Sequence, residues 1–521
     1  MIVLPDDVLD SLIGPNLDPV AAAMTLRQVG ASEPADGLRL LAELAGRTAD
    51  LESSDPAVVA ALLRGIHLLA LRGEHADIRD FDPAIIQAVE QSLPENCLNR
   101  FLLLHLLAIA RTEESLTLLM AYLKDNPPTN WIEAAQVLSP LMQYRDWPVN
   151  VVFPKLFDAI EHQAIASPSL DLGNYVTRLK LMTPHPATEY VETLNRLLSA
   201  VTRRLENFEE DPSTLGDDVP TVQERLSQAV SLSVSLCDAL GLIGHEASRP
   251  RLEQTMQLRH RRVQCEAAGA LARMGDTNGR ERLVSLVSEP SARLRVIAYA
   301  EELGFEHEID MRYRTEAALA ESEVAIWLAQ PDRFGIPPTT VEMIDQKQWM
   351  WPGFNDPVDC FLVRFHFDLG QRSYSNIAIS GPAVFALACD VADMQVDDIY
   401  AIYAGWQAEH DDIFTVPAGE VNKGQARIVE ELQVHLDRAG YEELKPELFC
   451  VFLDEHAAVY TATREGKPCR VLTDGLETIH IPLGARVRPL QPVDIWNLYK
   501  GRKVLRTFNR AAGINLPESL P

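Results

Sequence analysis

The sequence predicts a multidomain chain: an all-α solenoid of stacked helical hairpins, followed by an α+β domain built on an antiparallel sheet. Three observations predict it. From about residue 38 to 205 apolar residues recur at three- and four-residue spacing, the period of a helix with one buried face. Two segments between 232 and 276 match one another in register. Beyond residue 358 the period shortens to two, which marks half-buried strands. At 521 residues the chain also exceeds what one core holds, so several domains follow from length alone.

The first helical unit is "DPAVVAALLRGIHLLALRG", where Asp55 is an N-cap and Pro56 fills the first helical position. Paired units follow: "ENCLNRFLLLHLLAIA" with "TEESLTLLMAYLKD", "NWIEAAQVLSPLMQY" with "NVVFPKLFDAIEHQ", and "LGNYVTRLKLM" with "PATEYVETLNRLLSAVTRRL". Each pair is two helices around a polar or proline-marked turn, recurring every ~30–40 residues. One hairpin cannot bury its own apolar face, so the hairpins stack. Residues 1–205 therefore read as degenerate hairpin repeats, and the acidic, turn-rich stretch 206–222 as a linker. Repeats become explicit in 223–330. There "LSVSLCDALGLIGH" and "VQCEAAGALARMGD" align Ala239 with Ala270, Leu240 with Leu271 and Gly244 with Gly275. A third copy, "RLRVIAYAEELGFE", fits after a shift of one or two residues. Small alanines let helices approach, the glycine ends each helix, and Asp276 is placed to cap the next.

The run "VQCEAAGALARMGDTNGRERLVSLVSEPSARLRV" resembles a HEAT-like repeat of the type seen in phycobilisome-lyase-related proteins. The resemblance covers residues 232–304 and extends over 38–205 in architecture only. His245 stands where the next copy has Asp276, and Gln264 where such repeats often carry arginine. The resemblance implies an α-solenoid presenting a surface to protein partners; it carries no catalytic motif.

Residues 331–357, rich in proline and tryptophan, read as an ordered connector to the α+β domain, 358–521. In "CFLVRFHFDL", Phe361, Val363, Phe365, Phe367 and Leu369 share one face of a strand, and Arg364, His366 and Asp368 the other. "YSNIAIS" continues the sheet. Helical segments are predicted at 383–393, 396–414 and 422–439, then strands in "LFCVFLD", "AAVYTATR", "CRVLTD" and "TIHIPL". The end of the chain, 485–521, reads as a basic tail with seven basic and two acidic residues.

The formal charge of −28 favours solubility and repels nucleic acid at long range. The amino terminus has no basic region ahead of its apolar residues, so a secretory signal is not expected. The greasiest run, 101–110, is about half a membrane span. Seven cysteines without a C-x-x-C pair suit reduced thiols in a cytoplasm, and neither a metal nor a cofactor is expected. No G-x-S-x-G elbow, phosphate-binding glycine loop or dinucleotide fingerprint is present.

Three candidate sites remain. Glu409, His410 and Asp411 are adjacent, so a helix splays them by ~100° each and they cannot converge on one ion; His410 instead shares a stripe with Trp406. Arg364, His366 and Asp368 share a strand face, as groove-lining or solvent-facing groups. Residues 249–295 hold ten arginines and no lysine, and the turn "QLRHRRVQ" sets Arg259, Arg261 and Arg262 between two helices. Arginine forks grip carboxylates and phosphates. The leading expectation is a cytoplasmic protein–protein interaction scaffold with a C-terminal recognition domain and an acidic or phosphorylated protein partner. The alternative is an enzyme with His366, Asp368 and His410 in its site.

Overall fold

The computed structural model describes residues 4–510 apart from 6, 16, 74, 331, 369, 371, 409–410 and 485–487. The chain divides into two compact units, Met1–Ser285 and Leu286–Pro521.

The first unit is helical throughout. Its helices are α1 (Pro19–Gly30), α2 (Pro34–Ala45), α3 (Thr48–Glu52), α4 (Pro56–Arg72), α5 (His75–Arg79), α6 (Pro83–Gln91), α7 (Phe101–Ala110) and α8 (Glu113–Asp125). There follow α9 (Trp131–Gln143), α10 (Val149–Val152), α11 (Ala166–Arg178), α12 (Val191–Glu210), α13 (Val219–Ile243), α14 (Arg249–Thr255), α15 (Arg261–Arg273) and α16 (Thr277–Ser285). Asp-Pro pairs start three of them: Asp18, Asp55 and Asp82 accept the N–H two residues on at 3.0, 2.8 and 2.9 Å, each cap contributing about 1 kcal/mol. A continuous apolar core runs from Leu4 to Leu271. Helix α7 is buried from Leu102 to Ala110, so its sequence has no polar face. By length and composition α13 could cross a membrane, but more than half of its apolar window is buried within the unit, as in a core helix.

The matched repeat residues do the jobs their types suggest. Gly244 and Gly275 end their helices at φ 69° and 78°, left-handed values that glycine adopts without Cβ strain. A Cβ on Gly241 would stand 2.8 Å from the Cα of Ala270, so small residues let α13 and α15 touch. Asp276 caps α16 at the N–H of Gly279 (2.8 Å), and His245, its counterpart, caps Ala247 through Nδ1 (3.2 Å). Arg249 reaches from α14 to Asp276 at 2.9 Å and ties one hairpin to the next. The acidic stretch after residue 205 holds the end of α12, a single turn at Pro212–Leu215 and the start of α13.

The second unit contains α17 (Pro290–Leu303), whose end carries the third repeat glycine, Gly304, at φ 76°. Next come α18 (Glu316–Leu328), β1 (Thr340–Trp349), β2 (Val358–Asp368), β3 (Ser373–Ser380), β4 (Phe385–Ala386) and α19 (Val396–Gln407). The chain continues through β5 (Ile413–Pro417), α20 (Lys423–Arg438), β6 (Glu442–Phe452), β7 (Glu455–Arg464), β8 (Lys467–Thr473), β9 (Thr478–Pro482) and α21 (Pro492–Phe508). The strands form two antiparallel sheets, β1-β2-β3-β4 and β5-β6-β7-β8-β9. Helix α18 covers one face of the first sheet, meeting Phe361, Val363, Phe365 and Phe367. Helices α19 and α21 share a core with Cys360 and Leu362 of that sheet and with Val459 and Leu472 of the second. Helix α20 covers the second sheet's outer face.

Several sequence expectations change here. The 331–357 stretch contains β1, an edge strand of the first sheet. The helix expected at 396–414 stops at Gln407, and Ile413 and Phe414 instead pair with Phe452 and Val451. The helix expected at 383–393 does not form. Buried Asn376 holds that segment extended, donating to the carbonyl of Cys389 (2.9 Å) and accepting the N–H of Val391 (3.0 Å). The basic stretch expected as a tail is α21, a core helix. Leu369 lies outside the described residues.

The second unit also repeats itself. α18–β1–β2–β3–β4–α19 and α20–β6–β7–β8–β9–α21 have the same order of elements. Each first strand carries an extra residue at the same place: Ile344 between the partners of Val363 and Leu362, Glu447 between those of Tyr460 and Val459. The closing helices read DIYAIYAG (398–405) and DIWNLYKG (494–501), identical at Asp, Ile, Tyr and Gly. They cross at the matching glycines, and a Cβ on either would stand 2.8 Å from the amide nitrogen of the other. Each would also strike a carbonyl on the facing helix, of Asn497 or of Ala401, which are themselves equivalent positions. Such reciprocity is that of a two-fold contact.

Candidate functional site

A concave opening in the first unit lies where two inter-helix turns meet. The α6–α7 turn, "SLPENCLNR", and the α8–α9 turn, "NPPTN", border a cleft of about 520 Å³, within the range of ligand pockets. Its apolar wall includes Leu93, Leu98, Phe101, Leu104 and Pro127; Leu98 is 73% exposed. Asn96 and Asn99 adopt φ 62° and 68°, a region that asparagine tolerates better than most residues. These two turns of backbone end any helix before Phe101. The Asn99 amide anchors the loop by donating to the carbonyl of Ala60 at 2.9 Å.

Four charged groups line the cleft: Glu90, Glu95, Glu133 and Arg100. Arg100 is ion-paired to Glu90, whose carboxylate is buried. Glu133 accepts from the Thr129 hydroxyl at 2.8 Å and its N–H at 3.2 Å, which fixes it at the start of α9. Glu95 is exposed. The lining is therefore acidic on balance. Cys97, the one half-buried cysteine, also lines it, and burial pushes its thiol up to about 11. The sequence reading missed this site because it extended α7 back to Glu95; Pro94 and the two asparagines were the available signal.

The arginine-rich stretch is largely turned inward. Arg249 meets Glu246 and Asp276, Arg273 meets Asp238, and Arg293 meets Glu321. Arg295 stacks on Tyr299 with its guanidinium carbon 4.4 Å from the ring centre. At the α14–α15 turn, Arg261 donates to Gln264 (3.0 Å), while Arg259 and Arg262 are exposed. The backbone N–H of Arg259 is held by Glu209 at 2.6 Å.

On β2, Arg364 and His366 are half-buried and Asp368 is exposed. Arg364 stands opposite Glu342 and Ile377, and His366 opposite Thr340 and Ser375. Asp368 is spent on a turn, accepting the N–H of Gly370 at 3.1 Å. Trp406 is 53% exposed and packs on Phe385, ring centres 4.4 Å apart. Glu409 and His410 lie outside the described residues.

A second charged cluster surrounds α21. The Tyr499 hydroxyl donates to Asp474 (2.7 Å), and Lys503 pairs with Asp474 (3.0 Å) and Glu455 (3.1 Å). Burial, then the Asp474 and Glu455 carboxylates, push the Tyr499 phenol up. Burial works against the Lys503 ammonium, yet its hydrogen bonds to both carboxylates hold it above its ordinary value. Arg502 meets Asp398 and Glu477. These charges satisfy one another and fasten α21 to α19 and the second sheet. Among the described residues no group of three His, Cys, Asp or Glu side chains is placed to hold a metal ion.

No family model matches the sequence, and no curated protein matches it either. What the fold defines is a class: a helical array followed by an internally repeated α+β unit.

Proposed function

We propose that this chain is a cytoplasmic protein-interaction scaffold, its helical unit an array of HEAT-like hairpins and its α+β unit a second recognition module. The observation that carries the reading is the character of the turns in the helical unit. They hold an open cleft at residues 90–133 and outward-facing arginines at the α14–α15 turn. Turns displayed by a rigid array are where repeat proteins meet partners. The equivalent helix-ending glycines and the α13–α15 contact through Gly241 and Ala270 support the HEAT-like type. Six of the seven cysteines are buried and none of the seven is joined in a disulfide, which supports a reducing compartment.

At the arginine turn the partner would be acidic or phosphate-bearing. Each exposed contact there is worth only ~0.2–1 kcal/mol, so several must act together and salt must weaken them. The test is replacement of Arg259, Arg261 and Arg262 by glutamate. Loss of partner co-purification with an unchanged melting temperature supports the reading. A large fall in melting temperature would show these arginines to be internal ties, and unchanged co-purification would remove the turn from the interface.

A further inference from the structure

The cleft between the α6–α7 and α8–α9 turns differs from the arginine turn in both shape and charge. It is concave, one wall is apolar, and its net lining charge is negative once Glu90 and Arg100 cancel. The two remaining carboxylates are held in different ways. Glu133 is anchored by Thr129 at the start of α9, while Glu95 sits on the exposed α6–α7 loop. Leu98 projects into solvent beside them, an apolar side chain with little of its own surface covered.

We propose that this cleft docks an extended basic segment of a partner protein, seating one arginine or lysine side chain. The aliphatic stem would lie along Leu93, Leu98 and Phe101, and the cationic head between Glu95 and Glu133. A long cationic side chain is amphipathic in this sense: its methylenes cover apolar surface while its head stays at the polar rim. A guanidinium also satisfies carboxylates with charge-assisted bonds that a neutral polar group cannot match. Nucleic acid and acidic peptides are disfavoured by the same two carboxylates. The proposal rests on the reading of the chain as an interaction protein, and it assigns that protein a second surface of opposite sign to the arginine turn.

The experiment uses the full chain and two fluorescein-labelled peptides, Gly-Ala-Leu-Arg-Ala-Leu-Gly and the same sequence with citrulline for arginine. Citrulline keeps the shape and removes the charge. Fluorescence polarisation should show saturable binding of the arginine peptide, at least tenfold weaker binding of the citrulline peptide, and a steep loss between 50 and 300 mM salt. Glu95→Gln with Glu133→Gln should weaken binding at least tenfold. The arginine peptide should also slow modification of Cys97 by a disulfide reagent at pH 9, which reads occupancy of the cleft directly. If Glu133→Gln perturbs folding, Glu95→Lys alone decides, since that side chain is exposed. Equal binding of the two peptides, no saturable binding, or an unchanged Cys97 rate at saturating peptide each overturns the proposal. The Arg259, Arg261 and Arg262 glutamate variant should bind the arginine peptide as the parent does. A cleft that fails here while partner co-purification still depends on those arginines sinks this proposal and leaves the scaffold reading standing.

Discussion

His67 of α4 and His105 of α7 meet in the core of the first unit, Nε2 to Nδ1 at 2.8 Å. A bond between two imidazoles requires at least one to be neutral, and burial pushes both down to about 4. Burial does the same to His185 and His260. In the unfolded chain these groups titrate near ~6.5. Between those values the unfolded state binds more protons than the folded state, so stability is full above ~6.5 and falls as pH drops toward 4. Asp171 works in the opposite direction: burial raises it to about 6, and its contribution grows as pH falls. Four histidines outweigh one carboxylate. Thermal unfolding of the first unit should therefore weaken steadily from pH 6.5 to 4. The double substitution His67→Leu with His105→Leu removes both polar partners together, which costs less than orphaning one, and should cut that pH slope by more than half. An unaltered slope would mean the pair stays protonated in the folded state. At this scale the sequence showed the two histidines on apolar helices and gave no sign that they face each other, because their positions come from separate hairpins.

Helices α19 and α21 depend on two glycines. A side chain at Gly405 or Gly501 collides with backbone on the facing helix, and backbone has no rotamer by which to yield. Gly405→Ala and Gly501→Ala should each destabilise the second unit by ~1–3 kcal/mol or more, read as a shift in its denaturation midpoint. Gly30→Ala is the control. It ends α1 with nothing within 4 Å of the new Cβ, so it should be neutral or slightly stabilising. If all three substitutions behave alike, the crossing is not close-packed. The signal for this crossing stands in the sequence, since residues 398–405 and 494–501 carry the same Asp-Ile and Tyr-x-Gly spacing, but the basic residues of 500–506 led to the expectation of a tail in place of α21. The end of α19 was not legible. An apolar stripe continues past Gln407 at helical spacing, but Ile413 and Phe414 are claimed by β6, and strand pairing outweighed local periodicity. The same override removed the helix expected at 383–393, where Asn376 supplies the hydrogen bonds a helix would have made internally.

At the scale of the molecule, the change of period near residue 358 does not coincide with the division into units. The division falls between Ser285 and Leu286, so the third repeat copy and α18 travel with the sheets. The reason is the outer face of β2. Phe361, Val363, Phe365 and Phe367 are covered by Ala320, Val324 and Leu328 of α18. Burying each large apolar side chain is worth ~1.5–3 kcal/mol, so the four together are comparable with the net stability of a whole domain. A fragment of residues 286–521 should fold cooperatively and remain soluble. A fragment of 331–521, which begins where composition suggests a connector, should expose the aromatic row and aggregate. Circular dichroism melts and sedimentation of the two fragments decide the matter. A well-folded 331–521 fragment would return the boundary to the connector.

Local chemistry is what the sequence determined by itself. Asp-Pro pairs start helices, repeat glycines end them, and the alternation of β2 sets Phe361, Val363, Phe365 and Phe367 on one face, because each depends on neighbours within a few residues. Tertiary structure alone decided which surfaces stay open. Arg249, Arg273 and Arg293 of the arginine-rich stretch were taken up by Asp276, Asp238 and Glu321, carboxylates brought from elsewhere in the fold. The basic stretch at 500–506 became a core helix because Asp398, Asp474 and Glu477 were waiting for it. The cleft at residues 90–133 exists only because two turns, thirty residues apart, end beside each other. Pairing and exposure are properties of distant neighbours, and the period of an apolar stripe carries no information about which of them arrive.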